Sequence, residues 1–112
     1  MPRPQKPRFV DGPPLINRFN PHPLHSKGTE ALFLPLEGLE AIRLSDYEGL
    51  SQEAAAIRMN VSRQTFGRIL TQARKTVAEA LVNGRVLRIE GGHFEMPSRC
   101  HRRRRRGRGG PF

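Results

Sequence analysis

One run of residues constrains this chain more than any other. Phe66, Ile69, Leu70, Ala73, Val77, Ala80 and Leu81 follow one another at offsets of 3, 4, 7, 11, 14 and 15. An α-helix returns to the same face every 3.6 residues, so these positions form one continuous apolar stripe over about five turns. Ser62 is a natural N-cap for such a helix, and Asn83-Gly84 supplies the left-handed stop. A helix of this length with one apolar stripe needs a partner surface. The residues before it must supply that surface.

A shorter helix precedes it. Ser51 can cap its start, Glu53 lies in its first turn, and Ala54, Ala55 and Ile57 favour helix. It should end near Arg58-Met59, because Asn60 tolerates the left-handed conformation that closes helices. Upstream, Leu36, Leu39 and Ile42 recur at three-residue spacing behind Pro35, which suits a first helical turn. A helix is therefore predicted from Pro35 to Tyr47, closed by Gly49. Beyond the long helix, Val86-Leu87-Arg88-Ile89 and His93-Phe94-Glu95-Met96 flank Gly91-Gly92. This pattern predicts a β-hairpin within residues 85–98. Two strands alone are marginal, so the hairpin must pack on something else.

The fold class expected is thus mainly α. A three-helix domain spans residues 31–84, with a helix-turn-helix at 51–82 and a small C-terminal hairpin. Residues 1–30 hold seven of the ten prolines, which block regular helix and predict an extended N-terminus. Phe9, Val10, Leu15, Ile16 and Phe19 are the side chains there that could dock on the core. Residues 99–112 hold seven Arg and three Gly and are expected to form a disordered basic tail. Hydrophobic residues make up 36% of the chain and Trp is absent, which fits a core built from only part of it.

Charge decides what kind of partner to expect. The net charge is +10. Residues 1–30 contribute +3, residues 31–98 are neutral with eight charges of each sign, and residues 99–112 contribute +7. The neutral middle separates its signs. Residues 37–53 hold five acids and one base, Arg43, whereas residues 54–78 hold five bases and no acid. The short helix and most of the long one can therefore present a basic face to an anionic partner.

Two helices joined by Met59-Asn60-Val61 have the layout of a helix-turn-helix. Ala54 and Ala55 would let the helices cross closely, Val61 would fill the angle, and Phe66 and Ile69 would fix the second helix. The opposite face carries Arg63, Gln64, Arg68 and Thr71. Arg bonds bidentately to guanine, and Gln to adenine, at major-groove edges. Arg63, Gln64 and Arg68 are the expected base readers. Ser62, Arg74 and Lys75 are the expected phosphate contacts, with Thr65 in the same helix start. Gly67 costs about 1 kcal/mol relative to Ala inside a helix. Its absent side chain would let the helix approach DNA or a neighbouring helix.

At these residues the sequence resembles region four of bacterial sigma factors, from Leu50-Ser51-Gln52-Glu53-Ala54-Ala55 through Ser62-Arg63-Gln64-Thr65-Phe66-Gly67-Arg68-Ile69-Leu70. It is more closely similar to the small bacterial and archaeal proteins grouped as domain of unknown function 134. That likeness includes Met1-Pro2-Arg3-Pro4, Leu39-Glu40-Ala41-Ile42-Arg43-Leu44 and Leu87-Arg88-Ile89-Glu90-Gly91-Gly92, and covers most of residues 1–96. It implies a sigma-like helix-turn-helix and DNA binding, without naming a target. Asn60 stands where such motifs commonly have Gly. Pro7 stands where family members often carry Cys, which weakens any metal or redox role carried over from them.

Other functions find less support. One cysteine, Cys100, excludes an internal disulfide and suits a reducing compartment, so the cytoplasm is expected. No apolar run nears the ~20 residues of a membrane span. Cys100, His101, His22, His25 and His93 fall short of a zinc ligand set. No cofactor is expected, and no catalytic motif is present. The expected partner is double-stranded DNA in transcription regulation, with a homodimer where specific binding needs two copies. RNA bound through the arginine tail, or a protein of the transcription machinery, are the competing partners.

Overall fold

The computed structural model describes residues 7–22 and 30–96. The predicted arginine tail and much of the N-terminal segment lie outside these residues. In chain order come β1 (Arg8–Phe9), β2 (Arg18–Phe19), β3 (Leu32–Leu34), α1 (Leu36–Ile42), α2 (Gln52–Met59), α3 (Arg63–Asn83), β4 (Leu87–Ile89) and β5 (Phe94–Glu95). About half of the described residues are helical.

α3 is the axis of the domain, and α1 and α2 pack against its apolar stripe. Phe66, Leu70, Ala73 and Ala80 are buried on it, with Ile69 and Val77 half-buried. The stripe stops one residue short of its predicted end, since Leu81 is 78% exposed. Two groups of side chains share the helix. At its start, Phe66 and Leu70 meet Ala41, Leu44, Ala55, Ala56 and Met59, with Val61 against them. Towards its end, Ala73 and Ala80 meet Leu34, Leu87 and Ile89. Ile42 touches both groups and joins them into one core.

α1 begins behind Pro35 as predicted, but its last turn is wider. Arg43–Tyr47 winds as a π-helix, with the Glu48 N–H donating to the Arg43 carbonyl. Leu44 is thereby turned into the core and Asp46 outwards. Gly38 lets α1 lie close to α3. A Cβ there would sit 3.2 Å from that of Ala73 and 3.0 Å from Leu34.

The predicted hairpin is not formed. β4 and β5 exist on either side of Gly91-Gly92, but neither pairs with the other. β4 lies between β2, antiparallel, and β3, parallel, while β5 runs parallel to β1. The reason is visible at the start of α1, whose first amides lack an intrahelical acceptor and which has no capping side chain. The Gly91 carbonyl accepts from the Leu36 N–H at 3.0 Å, and the His93 N–H donates to Glu37 at 3.0 Å. The glycine pair carries the chain over the helix end instead of folding it back. Gly92, at φ +107°, is required there: a side chain is strained at that φ, and a Cβ would lie 2.9 Å from Pro35 Cβ as well as against the Glu37 carboxylate.

The proline-rich segment is extended where described, and docks in part. Val10 is buried, whereas Leu15, Ile16 and Phe19 are more than half exposed. Asp11 is fixed by ions. Arg43 donates to Asp11 at 2.6 Å and to Glu40 at 2.8 and 2.9 Å, and also pairs with Glu48. Burial opposes the Arg43 charge, but the hydrogen bond and charge of Glu40, with Asp11 and Glu48, outweigh it and raise its pKa.

Candidate nucleic acid interface

The unit formed by α2, the turn and α3 is built from local signals. The Ser51 hydroxyl accepts the Ala54 N–H at 3.1 Å and starts α2. Asn60 closes α2 at φ 60°, the left-handed position usually given to glycine. The Val61 N–H then donates to the Ala56 carbonyl at 3.0 Å, while the Val61 side chain packs on the core. Ala55 and Ala56 make the close contact between helices; Ala54, predicted for that role with Ala55, is half-buried. α3 starts at Ser62, whose Oγ accepts the Thr65 N–H at 3.0 Å and donates to Thr65 Oγ1 at 3.0 Å. With Ser62 occupied in this way, the amides of Arg63 and Gln64 are the donors that helix geometry leaves open.

The buried stripe of α3 fixes what faces outwards. Gln64, Arg68, Thr71 and Lys75 lie at offsets of 4, 7 and 11 on the side opposite Phe66 and Leu70, and all four are exposed. Arg63, Gly67 and Arg74 form a second row beside them, towards α2. Gln64, Gly67, Arg68, Thr71 and Arg74 border one shallow concavity, completed by Gln52 from the first turn of α2. Ser62, Arg63, Thr65 and Lys75 lie outside its rim. Gly67 faces Gln52, where a Cβ would meet Oε1 at 3.5 Å, an ordinary contact. The helix crossing therefore does not depend on the small size of Gly67.

The cations are not equivalent. Arg74 is held by Asp46 in a fork, at 2.6 and 3.2 Å. The hydrogen bond from Arg74, with its charge, holds the Asp46 carboxyl below the usual carboxylate range despite slight burial, and the same bond raises Arg74. Arg58, counted in the basic stretch, donates to Asp11 at 3.0 Å. Arg63, Arg68 and Lys75 have no acidic partner among the described residues. Gln52 and Asp46 escaped sequence reasoning. Gln52 was within reach of it, as the first residue after an N-cap facing the next helix. Asp46 lies 28 residues from Arg74, and nothing local announces the pair.

Among the described residues no group of three or more His, Cys, Asp or Glu side chains could hold a metal ion. No described helix is long and apolar enough to cross a membrane.

Comparison with known proteins agrees with the likeness seen in the sequence. Residues 1–97 match the family model described as a protein of unknown function, DUF134. A UPF0251 protein of Caldanaerobacter subterraneus subsp. tengcongensis is 49% identical over 96 residues, covering 86% of this chain and 81% of its own length. A UPF0251 protein of a Thermoanaerobacter species is 48% identical over 105 residues, covering 91% and 93%. One from Moorella thermoacetica is 49% identical, covering 91% and 70%. No solved structure matches. A family-model match over residues 1–97, and relatives sharing about half their residues across most of both chains, place this protein in the DUF134 family of UPF0251 proteins.

Proposed function

We propose that this protein binds double-stranded DNA through α2 and α3, used as a helix-turn-helix, and acts in transcription regulation. The carrying observation is the outer face of α3. It presents Gln64, Arg68, Thr71 and Lys75 in line on a helix whose opposite side is locked into the core. Rigid backing is what base reading needs, because a side chain must reach a base edge within hydrogen-bond distance. The cations Arg63, Arg68 and Lys75 meet no acid among the described residues, so a phosphate backbone would be their counterion.

In this reading α3 enters the major groove. Gln64 reads an adenine, Arg63 and Arg68 read guanines, and Thr71 follows along the groove. The open amides at the helix start and Lys75 hold phosphates. Arg74 joins them only when it leaves Asp46. Ser62 acts through the helix cap. One such helix covers a short site, so two copies on a repeated half-site are proposed.

Titration of duplexes that differ at single base pairs tests this. Gln64→Ala should weaken binding to the preferred site by about 1–3 kcal/mol and remove discrimination at one base pair only. Lys75→Ala should weaken all sequences alike. A Gln64→Ala loss that is the same on every duplex would remove Gln64 as a reader. Equal affinity of every outer-face variant would turn attention to a protein partner.

A further inference from the structure

The two ends of α3 have different surroundings. At its start, a cleft lined by Arg8, Glu37, Thr65, Arg68 and Gln72 flanks the outer row and carries charge of both signs. At its far end, the helix forms one wall of an apolar groove of about 510 Å³. Val77, Ala80 and Leu81 stand on the α3 side, Phe19 of β2 lies on the lining beyond them, and the buried Leu34 and Ile89 lie beneath. Phe19 is directed there by its strand: it sits opposite Leu87 in the β2–β4 pair, and residues directly opposite share one face of a sheet.

The rims of this groove are as apolar as its floor. Leu81 is 78% exposed and Phe19 54%. Among the described residues that line it, Arg85 alone is charged. Arg85 is already committed: it donates to the Glu30 carbonyl at 2.6 and 2.9 Å, and Glu79 lies 4.0 Å from it. Large apolar side chains on the rim of an apolar recess mark a surface that gains by being covered.

Charge and shape say what covers it. The chain carries +10, so two copies repel one another over most approaches. An approach at this groove sets neutral surface against neutral surface. A two-fold contact uses one patch twice, so the patch must hold both a projection and a recess. Leu81 is the projection, and the groove beside it is the recess. A small ligand fits less well, because free polar groups orient such ligands. Arg85 is taken, and Asn20 is the other hydrogen-bonding side chain on the described lining.

We propose that this groove is where two copies of the chain meet, with Leu81 of each copy seated in the groove of the other. The inference deepens the DNA-binding reading above, which calls for two copies, and rests on it for the choice of occupant. The geometry suits that role. Val77, Ala80 and Gly84 lie on the side of α3 opposite Gln64, Arg68, Thr71 and Lys75, so a copy docked there leaves both outer rows open. Arg68 and Leu81 are separated by about 20 Å of helix, at 1.5 Å per residue. Two such arms joined near Leu81 can hold their outer rows up to about 40 Å apart, which includes the ~34 Å between half-sites one helical turn apart.

Sedimentation of the full chain without DNA, beside selection from a random duplex pool, gives the test. The chain should sediment as a dimer at micromolar concentration. Leu81→Glu should weaken association by at least about 100-fold, because each substitution counts twice in a two-fold contact. Phe19→Glu, across the groove, should act in the same direction. Ile57→Glu, which changes an equally exposed apolar residue on α2, should leave the dimer intact. Far-UV circular dichroism confirms that each variant keeps its helices. The Leu81→Glu chain should still select the half-site but lose its two-fold repeat. A wild-type chain that stays monomeric, alone and on paired half-sites, would overturn the second copy and leave a segment of the same chain or a foreign protein as the occupant. A dimer unaffected by both groove variants would overturn the surface. A dimer broken by both of them, with no motif selected by any chain, would support the surface and refute the DNA reading instead.

Discussion

Replacing Arg43 by Met isolates the ion cluster that joins the N-terminal segment to the helices. Glu40 is buried, with 4% of its side chain exposed, and Arg43 with 12%. Three hydrogen bonds from Arg43 go to Glu40 and Asp11, and a further one to Glu48. Met fills much of the same space without the charge. Among the described residues, Glu40 then keeps only the Asp11 N–H, at 3.3 Å, of the donors that now reach it. Breaking a buried pair by removing one partner costs about 3–5 kcal/mol. The remaining donor and the partial exposure of Asp11 place the expected loss near the lower end, about 3 kcal/mol. A domain of this size has about 4–12 kcal/mol in total. At about 4–8 °C per kcal/mol, the midpoint should fall by about 12–24 °C. Thermal unfolding followed by far-UV circular dichroism reads this directly. The double variant Glu40→Leu with Arg43→Met removes both charges and should recover at least half of the loss, because no unpaired carboxylate stays buried. A loss below about 1 kcal/mol for the single variant, or a double variant no better than the single one, would refute the reasoning.

Three further outcomes follow from other contacts. Asp46→Asn should free Arg74 for phosphate and raise affinity on all sequences. It should steepen the salt dependence by about 0.9, an added factor of about 3–4 between 50 and 200 mM salt; weaker binding would mean that Asp46 orients Arg74 instead of competing for it. The Asp46 carboxyl should titrate below the ordinary aspartate value of about 3.9, as followed by NMR. Because its folded pKa is depressed, the contribution of the fork is complete above that value and lost as pH falls through the lower folded one; a midpoint above about 4 would contradict the fork. Gly92→Ala places a Cβ against Glu37 at φ +107° and should destabilise the fold by about 1–3 kcal/mol, read by denaturant unfolding; an unchanged midpoint would refute the cap over α1.

How much of this was legible follows from the range of each signal. Ser51, Asn60, Ser62 and Gly84 act within three or four residues, and each bounds a helix where the sequence predicted it. The stripe of α3 was legible for the same reason, up to Leu81, whose exposure is set by where the partner surface ends. The pairing of strands was not legible. β4 finds β3 and β2 across 55 or more residues, and Gly91-Gly92 looks locally like a hairpin turn until the unsatisfied start of α1 is known. The same holds for charge. Arg43, Arg58 and Arg74 read as surface cations along the chain, and only the fold shows that Glu40, Asp11 and Asp46 hold them. Gln64, Arg68 and Thr71 of the outer row of α3 were predicted from their spacing, whereas the place of Arg63 in the second row, Gln52 and the flanking cleft at Arg8 required the packing of other elements.

The central claim is that α3 reads DNA sequence. Selection from a random duplex pool, with the full chain and with Gln64→Ala side by side at moderate salt, tests it most directly. The account predicts one enriched motif, repeated with two-fold symmetry, in which the variant loses preference at one position of each half-site. No enriched motif, or the same motif from both proteins at equal strength, would contradict it.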